Sequence, residues 1–194
     1  MTLAGLLLAA GGASRFGSPK VLAPYRGKPL VWRGVRLLAP RCPAGVHVVV
    51  GPSAAGVRAA LAGEAATLVE NPDWGRGLST SLVSGVAALP PEADAVLILL
   101  CDQPAVTAED LDALIAAWQV EPELIAAAGF NERLGPPVII PRGFWPQLAA
   151  LRGDQGARSL LEWHTERATV DMPHAALDVD TPEDLARLEA APAQ

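Results

Sequence analysis

The sequence predicts a single α/β domain of parallel strands crossed over by helices, and three observations predict it. Apolar runs of strand length alternate with longer stretches of helical period from one end of the chain to the other, which is the pattern left by βαβ units. The chain has 194 residues, a length suited to one domain with a full core rather than to two. Hydrophobic residues make up 51% of it, yet Gly, Pro or charge interrupts every apolar run before the ~20 residues of a membrane span. The apolar content therefore belongs to a buried core.

Taken in order, strands are expected over residues 5–9, 46–50, 67–70, 95–101, 124–128 and 138–140, with a weaker one over 168–171. Each is a short apolar run, mostly bounded by Gly, Pro or Asn. Helical spacing fills the intervals at 29–38, 54–61, 79–89, 107–118, 144–151, 157–165 and 182–189. Two of these helices carry start signals. Thr107 stands three positions before Asp110, and Thr181 precedes Pro182, Glu183 and Asp184. Each hydroxyl can cap free N–H groups, while the carboxylates favour the positive end of the helix. Residues 1–190 are expected to form the domain and 191–194 a frayed tail.

Fifteen basic against 21 acidic residues give a net charge of −6, which disfavours a nucleic-acid backbone as partner. One short phosphorylated ligand remains compatible with that balance. Cys42 and Cys101 are too few for a disulfide framework or a zinc site, so a reduced compartment is the simplest setting. No Lys or Arg precedes the apolar run at residues 6–11, unlike a signal peptide, and the expected location is the cytoplasm.

The chemistry begins where the first strand ends. The segment Leu8, Ala9, Ala10, Gly11, Gly12, Ala13, Ser14, Arg15, Phe16, Gly17, Ser18, Pro19, Lys20 is a loop of small residues that also carries two cations. Small residues let backbone N–H groups approach phosphate oxygens, and the cations offset a polyphosphate's charge. Gly12 and Gly17 have the separation of a Walker A loop, but Ser18 stands where that loop needs Lys, and the dinucleotide fingerprint fails as well.

The run 95–101 is apolar throughout, as in a strand buried on both faces, and it stops at Asp102, Gln103 and Pro104. If its strand neighbours the first, Asp102 and the small-residue loop share the carboxyl rim of the sheet, where α/β proteins bind ligands. A carboxylate beside phosphates is how Mg²⁺ is usually held. Asp178 or Asp180 can complete such a site, although the segment also reads as a plain helix cap. The stretch from Asn71 through Trp74, Gly75, Gly77, Ser79 and Ser81 leads a strand into a helix. Free N–H groups and hydroxyls there can hold a ribose, a base edge or a phosphate; the plainer reading is a capped helix with Trp74 packed on the core.

Together these segments resemble the MobA-like nucleotidyltransferase family, and most closely its molybdenum cofactor cytidylyltransferase branch. Carrying the resemblance are Leu8, Ala9, Ala10, Gly11, Ser14, Arg15, Gly17 and Lys20 in the opening loop and Asp102, Gln103 and Pro104 after a hydrophobic strand. Further matches are Asn71, Trp74, Gly77, Ser79 and Ser81, the run 135–137, the run 153–158 and the run 180–184. It implies a Rossmann-like nucleotidyltransferase fold, three-layer α/β/α with a mainly parallel sheet. Residues 1–105 would form the nucleotide-binding half and 106–190 the acceptor-binding half. Alanines at Ala9 and Ala10 are similar to the cytidylyl branch, whereas Pro19 stands where guanylyl enzymes usually carry Asp.

The resemblance also implies roles. Leu8, Ala9, Ala10, Gly11, Gly12, Ser14, Asn71, Gly77, Ser79 and Ser81 would bind the nucleotide, with Arg15, Lys20 and Asp102 both binding it and acting in catalysis. Asp102 and Asp180 would hold Mg²⁺, and Gln103, Pro137, Asp154, Gln155 and Arg158 would face the acceptor. The expected reaction is attack by the terminal phosphate of molybdenum-loaded molybdopterin on CTP, with an apo molybdenum hydroxylase as recipient of the product. A phosphate monoester is already anionic, so the absence of a Ser/His/Asp or Cys/His arrangement fits catalysis by alignment and charge neutralisation. The alternatives are another phosphorylated acceptor such as a sugar phosphate, guanylyl transfer, and a non-catalytic carrier of the finished cofactor. His47, His164 and His174 are read as structural or surface residues, Cys42 as an inert loop thiol, and Trp118, Trp145 and Trp163 as core or packing aromatics.

Overall fold

The apolar run at the amino terminus becomes β1 (Leu3–Ala9), buried along its whole length at the centre of the molecule. The structure is a computed structural model and describes residues 1–12 and 16–191. Seven strands form the main sheet in the order β5-β4-β1-β6-β8-β7-β9, where β4 is Val46–Val50, β5 Ala66–Glu70, β6 Ala95–Leu100, β7 Ile125–Phe130, β8 Arg133–Pro141 and β9 Arg167–Asp171. β1 pairs in parallel with β4 and β6, β4 with β5, and β7 with β9. Only β8 runs against its neighbours β6 and β7, so the sheet is mainly parallel, as expected.

Alternation along the strands builds one core on each face. Leu3, Leu7 and Ala9 of β1 join Leu97 and Leu99 of β6 beneath α1 (Leu30–Leu38), α2 (Ala54–Ala60), α4 (Ala108–Val120) and α7 (Pro182–Ala190). Ala4, Leu6 and Leu8 join Val96 and Ile98 beneath α3 (Leu78–Ala87), α5 (Trp145–Ala150) and α6 (Ala157–Trp163). The result is three layers, and strands covered on both sides read as unbroken apolar runs. Both expected capping hydroxyls act, and the structure completes each as a capping box: Thr107 and Thr181 accept the backbone N–H of Asp110 and Asp184, whose carboxylates accept in return.

Two features differ from the expectation. The short strand at 138–140 extends to Arg133–Pro141 and pairs with β7 as a hairpin turning on Asn131 and Glu132, both with positive φ. A second hairpin, β2 (Pro24–Tyr25) with β3 (Lys28–Pro29), turns on Arg26 and Gly27, again both at positive φ. Paired positive φ values match the right-handed twist of tight hairpins. Trp163 also departs from its expected packing role, standing 56% exposed.

Candidate functional site

β1 is the point where the sheet order reverses, with β4 on one side and β6 on the other. Crevices outside the carboxyl ends of strands at such a reversal are where α/β folds bind ligands. The β1–β6 ladder carries on past the strands, with Cys101 N–H donating to the Leu8 carbonyl at 3.1 Å. Asp102 therefore emerges beside the loop that follows Ala9.

A cavity of about 440 Å³ opens at this rim. Its floor comes from Leu8, Ala10, Gly11, Gly12 and Leu100, one wall from Trp74, Gly75, Gly77, Leu78 and Ser81, and its mouth from Asp102 and Asp154. Asp154 thus meets the nucleotide-side residues in one space. Trp74 is 38% exposed rather than a core aromatic. Its ring lies so close to Gly12 that an added Cβ there would come within 2.7 Å, and one on Gly51 within 3.0 Å. Small residues at these two positions are what let the indole lie against the floor, a signal readable only once their neighbourhood is known.

At the mouth, three of the expected residues converge from distant parts of the sequence. Lys20 Nζ donates to Asp102 Oδ2 at 2.8 Å and to Asp180 Oδ1 at 3.2 Å. Burial alone would lower the Lys20 pKa, but attraction to and hydrogen bonds with both carboxylates outweigh it and raise the value. The ammonium stays charged. The 178–180 segment is docked by Val179 N–H donating to the Asp102 carbonyl at 2.8 Å. Asp178 is open to solvent on one side, yet its carboxyl is pushed up to about 6, first by desolvation and then by the negative charges of Asp102 and Asp180.

Other expected residues lie behind the surface. Asn71 is 2% exposed, and its amide donates to Thr80 Oγ1 at 2.9 Å and Ser81 Oγ at 3.1 Å while Oδ1 accepts from Asp73 N–H. It orients the hydroxyls at the start of α3. Ser79 is buried, and its N–H donates to the Gly153 carbonyl at 3.0 Å, so that donor is spent within the protein. Ala9 faces the core beneath α1. Gln103 is 3% exposed and gives its amide hydrogens to the Pro136 and Ala175 carbonyls, which ties the Asp102 turn to β8 and to the segment before Asp178. Pro137 is buried in β8, whereas Gln155 and Arg158 sit on the outer loop and helix, Arg158 pairing with Glu162. Ser14 and Arg15 fall outside the described residues.

Gly77 joins the two halves. Its φ of 111° suits glycine alone, and a Cβ there would stand 2.3 Å from the Gly153 carbonyl oxygen. Sequence reasoning missed Trp74, Leu78 and Leu100 as cavity residues, and Arg33 as a brace: its guanidinium donates to the carbonyls of Pro104 and Val106, fastening the turn after Asp102 to α1. No local pattern marks a contact that spans the sequence so widely.

The remaining titratable groups have quieter places. Burial pushes the Cys42 thiol up to about 12 and Cys101 higher still, which keeps both protonated. His164 is hydrogen-bonded to Gln147, and His174 to Asp110, while burial lowers the pKa of His47. Among the described residues no helix is long and apolar enough to cross a membrane.

Comparison with known proteins agrees with the fold. The model of the MobA-like NTP transferase domain matches residues 5–174. Nicotine blue oxidoreductase of Paenarthrobacter nicotinovorans is 32% identical over 95% of each chain, and purine catabolism protein PucB of Bacillus subtilis is 37% identical over 46% of this chain and 43% of its own. Among solved structures, Rv0371c of Mycobacterium tuberculosis superposes with a TM-score of 0.81 at 30% identity, over 98% of this chain and 100% of its own. A structure of Rv0371c described as a complex with manganese gives 0.77, at the same identity and coverage.

Proposed function

The chain belongs to the family of MobA-like NTP transferase domains, and from that premise we propose that it transfers CMP from CTP to the terminal phosphate of molybdenum-loaded molybdopterin. The products are the cytosine dinucleotide cofactor, destined for an apo molybdenum hydroxylase, and pyrophosphate. The observation that carries the reading is the convergence of Lys20, Asp102 and Asp180 beside a cavity floored by small residues.

In this reading a phosphate oxygen of the acceptor forms a bond to the α-phosphorus of CTP. The bond from that phosphorus to the α–β bridging oxygen breaks, and its electron pair leaves with pyrophosphate. No proton has to be removed from the nucleophile, so the chain's task is to align and to neutralise. Backbone at Gly11 and Gly12, with Lys20, faces the triphosphate, and the family resemblance gives Arg15 the task of a second phosphate cation. Leu8, Leu78 and Leu100 offer the apolar surface on which a base rests. Ser81 already accepts from Asn71, which leaves its own proton to donate to the nucleoside, and Asp154, with Gln155 and Arg158 beyond it, lies toward the acceptor.

Magnesium suits the donors present. Two carboxylate oxygens, Asp102 Oδ2 and Asp180 Oδ1, converge on one cation. That matches an ion that takes one or two protein carboxylates and completes its shell with water and phosphate. Bound between Asp102 and Asp180, it would supply positive charge to the leaving pyrophosphate.

The relative named nicotine blue oxidoreductase favours a second reading, oxidation or reduction of such a compound in the same crevice. Hydride transfer gives the Lys20, Asp102 and Asp180 cluster no task, so the transferase reading comes first. The test is pyrophosphate release from CTP, GTP and ATP with Mg²⁺ and molybdenum-loaded molybdopterin. Release that needs the pterin and prefers CTP is expected. GTP preference moves the chain to guanylyl transfer, and release only with a sugar phosphate changes the acceptor. Silence with every nucleotide, alongside bleaching of nicotine blue by a two-electron reductant, establishes the second reading; silence in both assays with pterin still bound makes the chain a carrier.

A further inference from the structure

We propose that Lys20 and the divalent cation compete for the same two carboxylate oxygens, so that the metal binds tightly only when a nucleotide draws the ammonium away. The proposal rests on Asp102 and Asp180 as the metal carboxylates and goes beyond it by fixing how metal and nucleotide binding are coupled.

Asp102 Oδ2 and Asp180 Oδ1 both contact one ammonium, at 2.8 and 3.2 Å. A metal held by both carboxylates would have to share them with that ammonium. Two cations crowded into that gap repel strongly, the more so in surroundings that are partly buried. An ammonium is a compact point charge that pairs with these carboxylates as a cation. It has to move.

The side chain is able to move, and the cavity mouth offers it a destination. Its backbone is fixed in a short turn, with Ala23 N–H donating to the Lys20 carbonyl at 2.9 Å, while the ammonium rides on a flexible four-carbon stem. The cavity mouth beside Asp102 is where triphosphate oxygens would lie in the proposed function, and they can replace both carboxylates as partners for Nζ. Once Lys20 has turned to them, the two carboxylate oxygens that it held are released on the side of those same phosphates, where they would hold a divalent ion. Linkage makes the effect reciprocal: nucleotide strengthens metal binding by the factor with which metal strengthens nucleotide binding.

The test measures Mn²⁺ binding by the EPR signal of the free ion, with and without a non-cleavable CTP analogue, after correction for the Mn²⁺–analogue complex in solution. For the wild type, Mn²⁺ alone should bind at least about tenfold more weakly than with the analogue, within the usual range of coupling. Lys20→Met should bind Mn²⁺ alone about tenfold more tightly than wild type and lose most of the coupling; Lys20→Arg, which keeps a cation, should retain it. Equal affinity of wild type and Lys20→Met for Mn²⁺ alone overturns the competition. Loss of Mn²⁺ binding in neither Asp102→Asn nor Asp180→Asn, tested with the analogue present, overturns instead the metal-site reading beneath it. Should Lys20→Met fail to fold, thermal melts of the wild type decide: the stabilisation by Mn²⁺ and analogue together should exceed the sum of the two alone, and simple additivity refutes the proposal.

Discussion

The two walls of the cavity are held in different ways. On the β1–β6 side, the backbone that carries Asp102 is anchored: Asp102 follows a strand whose ladder continues through Cys101, Gln103 is tied to two carbonyls, and Arg33 braces the turn from behind. On the facing side, the loop at 152–156 rests on α3 through the contact of Ser79 with Gly153, while Gln155 and Arg158 are exposed. Charge neutralisation in a transition state depends on donors and cations fixed in advance, whereas an acceptor group is met by side chains that adjust to it. The difference teaches where substitutions should act on rate and where on recognition.

The largest effect is expected on the anchored wall. Asp102→Ala removes a carboxylate from the cluster and leaves Lys20 with Asp180 alone. Turnover should fall by about 10³, in line with losing one preorganised electrostatic group, with a smaller change in the KM for nucleotide. Initial-rate assays of pyrophosphate release check it, and near-normal kcat would break the contrast between the walls. Gly77→Ala comes next, because it strikes the joint between them. A positive φ on a non-glycine residue costs about 1–3 kcal/mol, and the added Cβ also meets the Gly153 carbonyl. Thermal melting should drop by several degrees, with faster proteolysis at 152–156 and with β1 and β6 keeping their protection from hydrogen exchange.

On the adjustable wall the changes should be smaller. Arg158→Ala breaks only an exposed pair with Glu162, so stability should shift by less than about 0.5 kcal/mol. If Arg158 faces the acceptor, its KM rises several-fold while the KM for CTP holds. A matching rise in both constants would show that the walls do not divide the work.

The same contrast explains what could be read from the sequence. β1 and β6 were legible because strands covered on both faces are unbroken apolar runs, and Asp102 stood out as the abrupt end of one. Thr107 and Thr181 were legible because capping is a local arrangement. β8 was legible only at 138–140: the preceding Gly135, Pro136 and Pro137 argue against a strand on composition, yet pairing with Phe130, Gly129 and Ala128 keeps the segment extended. The hairpins at Arg26–Gly27 and Asn131–Glu132 were not foreseen, although Gly and Asn are residues that adopt positive φ readily. The meeting of Lys20 with Asp102 and Asp180 spans 82 and 160 positions, and only the sheet order brings the three together. Asn71 and Gln103 illustrate a different limit, since a polar residue near a site looks the same in sequence whether it faces the ligand or holds the wall.

The smallest predicted effect sharpens the electrostatic side of the comparison. Asp178 shares the anchored mouth with Asp102 and Asp180, and its carboxyl lies near 6 in the folded chain against 3.8 for an ordinary aspartate. Between those values the folded protein holds a proton that the unfolded chain releases. Stability of the metal-free protein should therefore fall as pH rises from about 4 to 6 and level off above it, the opposite sign to a salt-bridged carboxylate. Asp178→Asn should flatten that slope and leave the protein slightly more stable than wild type at pH 7, since it removes a charge held beside two others. Urea titrations at intervals of half a pH unit check both points. An unchanged slope would mean that solvent on the open side of Asp178 screens its neighbours, and that the crowding of negative charge at this wall is confined to the two aspartates that Lys20 bridges.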